Sequence, residues 1–174
     1  MSILRIHLFG DPILRARAAP LERVDRATRR LIDDMIETMR EADGVGLAAP
    51  QIGDARRIFV AELDEQVYVF VNPEIVDASS ETETGDEGCL SLPGYVGEVE
   101  RHLRVTVRGL DRRGRPRTVA AEGLLARCVQ HELDHLDGIL YTDRMKPDAP
   151  LYKVVQEPDD ADDDDDGRLE AAQA

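Results

Sequence analysis

Residues 130–138 read QHELDHLDG. Histidines at 131 and 135 stand one helical turn apart, so a helix places both imidazoles on one face, within reach of a single ion. Leu124 and Cys128 share that face, which turns it towards the interior, where each ring nitrogen needs a partner. Two hydrogen-bonded core histidines would satisfy that need. Glu132 shifts the balance towards chemistry, because a carboxylate between two ligands matches a metal-activated water beside its general base. The chain must therefore build a helix over about 124–136, opened by Gly123 and closed near Gly138, and pack the rest of the fold around it.

A hydrolytic metal site of this kind needs a third protein ligand. From His131 to Tyr141 the sequence HELDHLDGILY follows the pattern HExxHxxGxxH of one group of zinc proteases until Tyr141 replaces the last histidine. A protease drawing its third ligand from a downstream glutamate would find only Glu157 and Glu170 beyond Gly138. The ligand must come from upstream. Cys89, in EGCLSLPG (87–94), is the candidate: a thiolate binds zinc or iron strongly, and a glycine- and proline-flanked cysteine is poorly explained as core filling. Cys128 reads as a small apolar residue packing near the site. The two cysteines are expected as a ligand and a thiol, without a disulfide. A third stretch, GVGLAAPQIG (44–53), offers glycines that permit close backbone approach and the Gln51 amide, which can donate to an oxyanion.

Around these motifs the elements read as follows. Asp25 caps a helix over about 25–42, whose Leu31, Ile32, Met35, Ile36 and Met39 fall at helical spacing, ending at Asp43-Gly44. RIFVAEL (57–63) and VYVFVNP (67–73) read as paired strands, and 103–122 as a hairpin turning at Arg113-Gly114. The sum is an α+β fold in a single domain, antiparallel strands packed around a central HExxH helix. With 174 residues and 42% hydrophobic content, one ordinary core is expected. Of the net charge of −14, residues 157–174 carry −8 from nine acids and one base, leaving −6 for the body. That stretch is expected to be a disordered acidic tail following a catalytic domain over 1–156. An acidic body argues against a sequence-specific nucleic-acid partner, and the sequence has no apolar run long enough for a membrane span. A cytoplasmic location is expected.

GVGLAAPQ, EGCLS and QHELDHLDG, in this order and together with GDPILR (10–15), closely resemble the signature motifs of peptide deformylases, and the likeness extends through about residue 145. The resemblance implies an enzyme that removes the formyl group from N-formylmethionyl nascent peptides, in transient contact with the ribosome. Cys89, His131 and His135 would then hold one divalent metal ion, Fe2+ in the cell, with Zn2+ or Ni2+ accepted. Glu132 would be the catalytic acid/base, Gln51 and the Leu90 N–H the oxyanion donors, and Gly46 part of the loop lining the site. Gly44, Val45, Leu124, Leu125 and Cys128 are the candidates for the methionine pocket. Family members often end in a packed helix; here Pro147, Pro150 and Pro158 interrupt that region.

Overall fold

The computed structural model describes residues 2–154, so the expected boundary at 156 and the acidic tail lie outside the described residues. Helix α1 spans Arg26–Glu41, with Asp25 Oδ1 accepting from the Thr28 N–H at 2.8 Å as the sequence leads one to expect of a cap. It closes where Asp43 adopts a left-handed φ of 52° before Gly44.

Strand β1 (Gly46–Ala48) follows a short loop, and after a single 3-10 turn over Ala49–Ile52 come β2 (Ile58–Leu63) and β3 (Gln66–Ala78). β3 runs beyond the expected end at Pro73. The proline is accommodated because the register shifts between Val71 and Glu74, with Asn72 at φ 52°, so Pro73 never has to donate within the ladder. Next come β4 (Thr82–Cys89), β5 (Leu92–His102), β6 (Arg104–Leu110) and β7 (Pro116–Glu122), then α2 (Gly123–Leu136) and a two-residue strand β8 (Tyr152–Lys153). The β6–β7 hairpin turns at Gly114, as its alternation predicts, whereas no hydrophobic alternation foreshadows β4–β5.

The strands form two antiparallel sheets, one ordered β1-β2-β3-β6-β7 and the other β4-β5-β8. Helices cover both faces of the larger sheet. Phe59, Phe70, Val105 and Val107 meet Val129, Leu133 and Leu136 of α2, while Ile58, Val60, Val69 and Val71 meet Ile32, Met35 and Met39 of α1. This explains the unbroken apolar run IFVA: a strand buried on both faces has no polar side to show. α2 is thus central, with its apolar stripe on the larger sheet and its polar side chains towards β4 and β5. The last described residues form no helix: Tyr152–Lys153 pairs with Tyr95 and Val96 of β5.

α2 ends against the N-terminal segment. Gly138 has φ 74°, and a Cβ there would lie 2.5 Å from the Arg15 carbonyl oxygen. Gly138→Ala should therefore lower stability by about 1–3 kcal/mol, through left-handed strain and the backbone clash. Denaturant unfolding measures this, and an unchanged midpoint would mean that the helix end has room to shift.

Candidate active site

α2 delivers two of the three expected ligands, and the last residue of β4 is the third. Cys89 Sγ lies 3.2 Å from His135 Nε2, which lies 3.2 Å from His131 Nε2, and the three ligand atoms are all within 4.8 Å of one another. Metal–nitrogen and metal–sulfur bonds of zinc-like ions at tetrahedral angles separate ligand atoms by roughly 3.3–3.7 Å, so a small adjustment would seat an ion. A thiolate with two imidazoles suits a borderline-soft divalent metal. A second observation agrees: Glu132 Oε2 and His135 Nδ1, both buried, have no hydrogen-bond partner among the described residues. Oε2 would need an exogenous polar group in the cavity.

The orientation of His131 is set from behind. Its Nδ1 is 2.9 Å from Glu87 Oε2, so the ring donates there and turns the Nε2 lone pair to the site. Glu87 is itself held by Arg101, whose Nε and Nη2 donate to its two oxygens at 2.8 and 2.9 Å, and by Arg127 at 3.0 Å. Arg101 also donates to Asp134 at 2.5 Å, and Arg144 grips the same carboxylate at 2.7 and 3.1 Å. Burial pushes the Glu87 carboxyl up, but the hydrogen bonds from Arg101 and His131 outweigh it and bring its pKa to about 2. The Tyr141 ring stacks on His131 with centroids 6.1 Å apart, and its hydroxyl donates to the Tyr95 carbonyl. The residue standing where a protease would carry a histidine thus backs the site.

The ligands open into a cavity of about 930 Å³. Gln51 is 1% exposed and its amide is locked: Oε1 accepts from the Ala48 N–H at 2.8 Å, which leaves Nε2 facing Ser91 Oγ at 3.1 Å and Cys89 Sγ at 3.4 Å. A donor is therefore aimed at the ligand cluster. Gly46 is required by proximity, since a Cβ there would collide with Glu132 Oε1 and come within 2.9 Å of Cys128 Sγ. Burial drives the Glu132 carboxyl up to about 7, against the pull of His131 and with help from the charge on Glu87. A carboxyl poised near neutrality can both accept and return a proton. Burial, reinforced by Glu132 and Glu87, holds the Cys128 thiol well above its ordinary value, so it stays protonated and donates to the Val45 carbonyl at 3.6 Å. Both cysteines are free.

Most of the expected site residues converge on this cavity. Gly44, Val45, Gly46, Gln51, Cys89, Leu90, Leu124, Cys128, His131 and Glu132 line it, with His135 just behind at 1% exposure. Leu125 does not line it; it packs against the core between α2 and the larger sheet. Leu124 is not interior either, since it is 57% exposed at the cavity rim. The supporting residues Glu87, Ser91, Arg101, Arg127 and Asp134 escape sequence reasoning. Only Glu87 and Asp134, acids beside expected metal ligands within the quoted motifs, carry a signal.

The model of the family described as polypeptide deformylase matches residues 3–150. A peptide deformylase of Acidothermus cellulolyticus is 51% identical over 148 residues, covering 85% of this chain and 82% of the relative. One from Rhizobium meliloti is 47% identical, over 90% and 94% of the two chains. Among solved structures, the peptide deformylase of Thermotoga maritima superposes with a TM-score of 0.82 at 45% identity, covering 84% of this chain and all of that one. A Synechococcus elongatus peptide deformylase in complex with actinonin gives 0.81 at 43% identity, over 83% and 82%.

The depressed Glu87 carboxyl has a measurable consequence. Its ordinary value is 4.5 and its folded value about 2, so its contribution is complete above pH 4.5 and is lost as pH falls through about 2. The size is on the order of 3 kcal/mol at most. In metal-free protein, stability should fall across that window in the parent, and Glu87→Gln should be less stable at neutral pH with a flatter acid limb. Parallel acid limbs in the two proteins would show that Glu87 titrates normally in the fold.

Proposed function

This chain belongs to the polypeptide deformylase family, and on that premise we propose which of its residues perform the reaction. The enzyme is a hydrolase that removes the formyl group from the N-terminal formylmethionine of nascent polypeptides and releases formate. The observation that carries the residue assignment is the convergence of Cys89 Sγ and two imidazole nitrogens at one end of the cavity, beside a buried, unpartnered Glu132 oxygen.

Cys89, His131 and His135 hold the metal ion. When bound, a divalent ion there acts as a Lewis acid and brings the pKa of water down to about 7. Glu132 takes a proton from the attacking water and later delivers it to the departing methionine nitrogen, which leaves as a free amine. Gln51 Nε2 and the Leu90 N–H donate to the formyl oxygen as charge grows on it; removing one such donor typically costs about 100- to 1000-fold. Gly46 keeps space for the Glu132 carboxylate at the reacting carbon. Gly44, Val45, Leu124 and Cys128 form the wall against the methionine side chain, a role that Leu125 fills only indirectly by supporting the helix.

The ion in the cell is Fe2+, with Zn2+ or Ni2+ also accepted; the thiolate-imidazole donor set tolerates all three, and the iron assignment follows the family resemblance. The enzyme acts in the cytoplasm, meeting its substrate at the ribosome in transient contacts, without a membrane partner and without sequence-specific nucleic-acid recognition. In support, no described helix is long and apolar enough to cross a membrane, and the net charge is −14. The catalytic unit lies within 1–156, and residues 157–174 supply no catalytic group; the family match ends at residue 150.

Glu132→Gln should retain metal and fold but lose most deformylation of a formyl-Met-Ala-Ser peptide, measured as formate release. Turnover near the parent rate would remove Glu132 from the mechanism. Cys89→Ser should weaken metal retention and activity together, whereas Cys128→Ser should leave the metal content unchanged, both read by elemental analysis of protein purified without oxygen. Equal losses would mean that both sulfurs bind.

A further inference from the structure

The ligands come from two separate pieces of chain. Cys89 ends β4, while both histidines ride on α2, so the geometry of the cluster depends on how the β4–β5 hairpin is joined to the helix. That joint is polar. At one end, Gln130 of α2 exchanges hydrogen bonds with the backbone of His102, at the far end of β5. At the end nearer the ligands stands Arg127, whose side chain is 12% exposed. Its Nη1 donates to the carbonyls of Val99 and Gly85 at 2.8 and 3.2 Å and to Glu87 Oε1 at 3.0 Å, and its Nη2 donates to the Glu83 carbonyl at 2.9 Å. One guanidinium on the helix thus grips both strands of the hairpin and the carboxylate that orients His131.

Charge neutralisation does not explain this placement. Glu87 is already held through both oxygens by Arg101, so loss of Arg127 would not leave it unpaired. What Arg127 adds is the set of bonds from the helix to the backbone of β4, six and four residues before Cys89, and of β5. Gly85 is shaped to it, since a Cβ there would sit 3.0 Å from Nη2 and 3.3 Å from the guanidinium carbon. We propose that Arg127 is a positioning residue of the metal site: it docks the β4–β5 hairpin on α2 and thereby sets the reach of Cys89 Sγ to the ion that His131 and His135 share.

The inference rests on the assignment of Cys89, His131 and His135 as ligands. The test uses full-length, cobalt(II)-loaded protein and reads the near-ultraviolet thiolate-to-cobalt band and the rate of cobalt loss to a chelator. Arg127→Met should keep the helical and sheet content but weaken or shift that band and release cobalt about 10-fold faster or more, as loss of an outer support does. Gly85→Val keeps the arginine in the chain and pushes it off the strand, and should act in the same direction; it carries the test if Arg127→Met does not fold. An unaltered band with release within about twofold of the parent, alongside a lowered melting temperature of the metal-free protein, would reduce Arg127 to a stabilising contact and overturn the proposal. A parent without the band, or a Cys89→Ser variant that retains it, would instead overturn the ligand assignment itself, and this inference with it.

Discussion

A buried carboxylate has to be paired, and Glu87 is the one on which this structure turns. At 5% exposure it would be too costly as a lone charge; Arg101 from β5 holds both of its oxygens, and Arg127 and His131 from α2 meet it as well. Those partners come from different elements, and satisfying Glu87 therefore joins the hairpin to the helix. The joint extends through Arg101 to Asp134 and on to the half-exposed Arg144, a chain of charge-assisted bonds running from the ligand cluster to the surface. Loss of Glu87 would leave the buried His131 Nδ1 without its carboxylate. The arrangement is worth less as a source of stability than as a means of allowing only one relative placement of hairpin and helix.

How much of this can be read from the sequence depends on whether the cause is local. α1 is legible because Asp25 caps it and its apolar stripe has a helical period, and β2 because IFVA is β-branched and apolar on both faces. β4 is not: TETGDEGC exposes most of its residues and pairs on one edge only, so neither face imposes an apolar pattern. Its strand character comes from its partner β5. Pro73 misleads in the opposite direction, since a proline normally argues for a strand end, and only the bulge around it lets β3 continue to Ala78.

The site follows the same division. His131, Glu132 and His135 are legible because i, i+1 and i+4 on one helix are close whatever the tertiary fold, and Cys89 by elimination once no downstream ligand exists. Glu87, Arg101 and Arg127 act across 14 to 44 residues of sequence, and nothing local marks an arginine that faces inward. Leu124 and Leu125 show the limit of periodicity. Adjacent on a helix, they point about 100° apart, so one meets the cavity and the other the core. Sequence alone makes both wall candidates, and the neighbouring sheet decides between them.

Glu132 is the point at which the fold works against its own stability. Burying a carboxyl that has one oxygen unpartnered and no salt bridge among the described residues favours the protonated form and costs free energy in either state. Gly46, with no side chain, gives up apolar contact so that this carboxyl can sit where it does. Core packing does not explain the carboxyl, since a leucine-sized apolar group at 132 beside Gly46 would fill the same space without an unpaired oxygen. The unpartnered oxygen becomes intelligible when a polar guest occupies the cavity, an argument that supports the role proposed for Glu132 and does not rest on the motif around it.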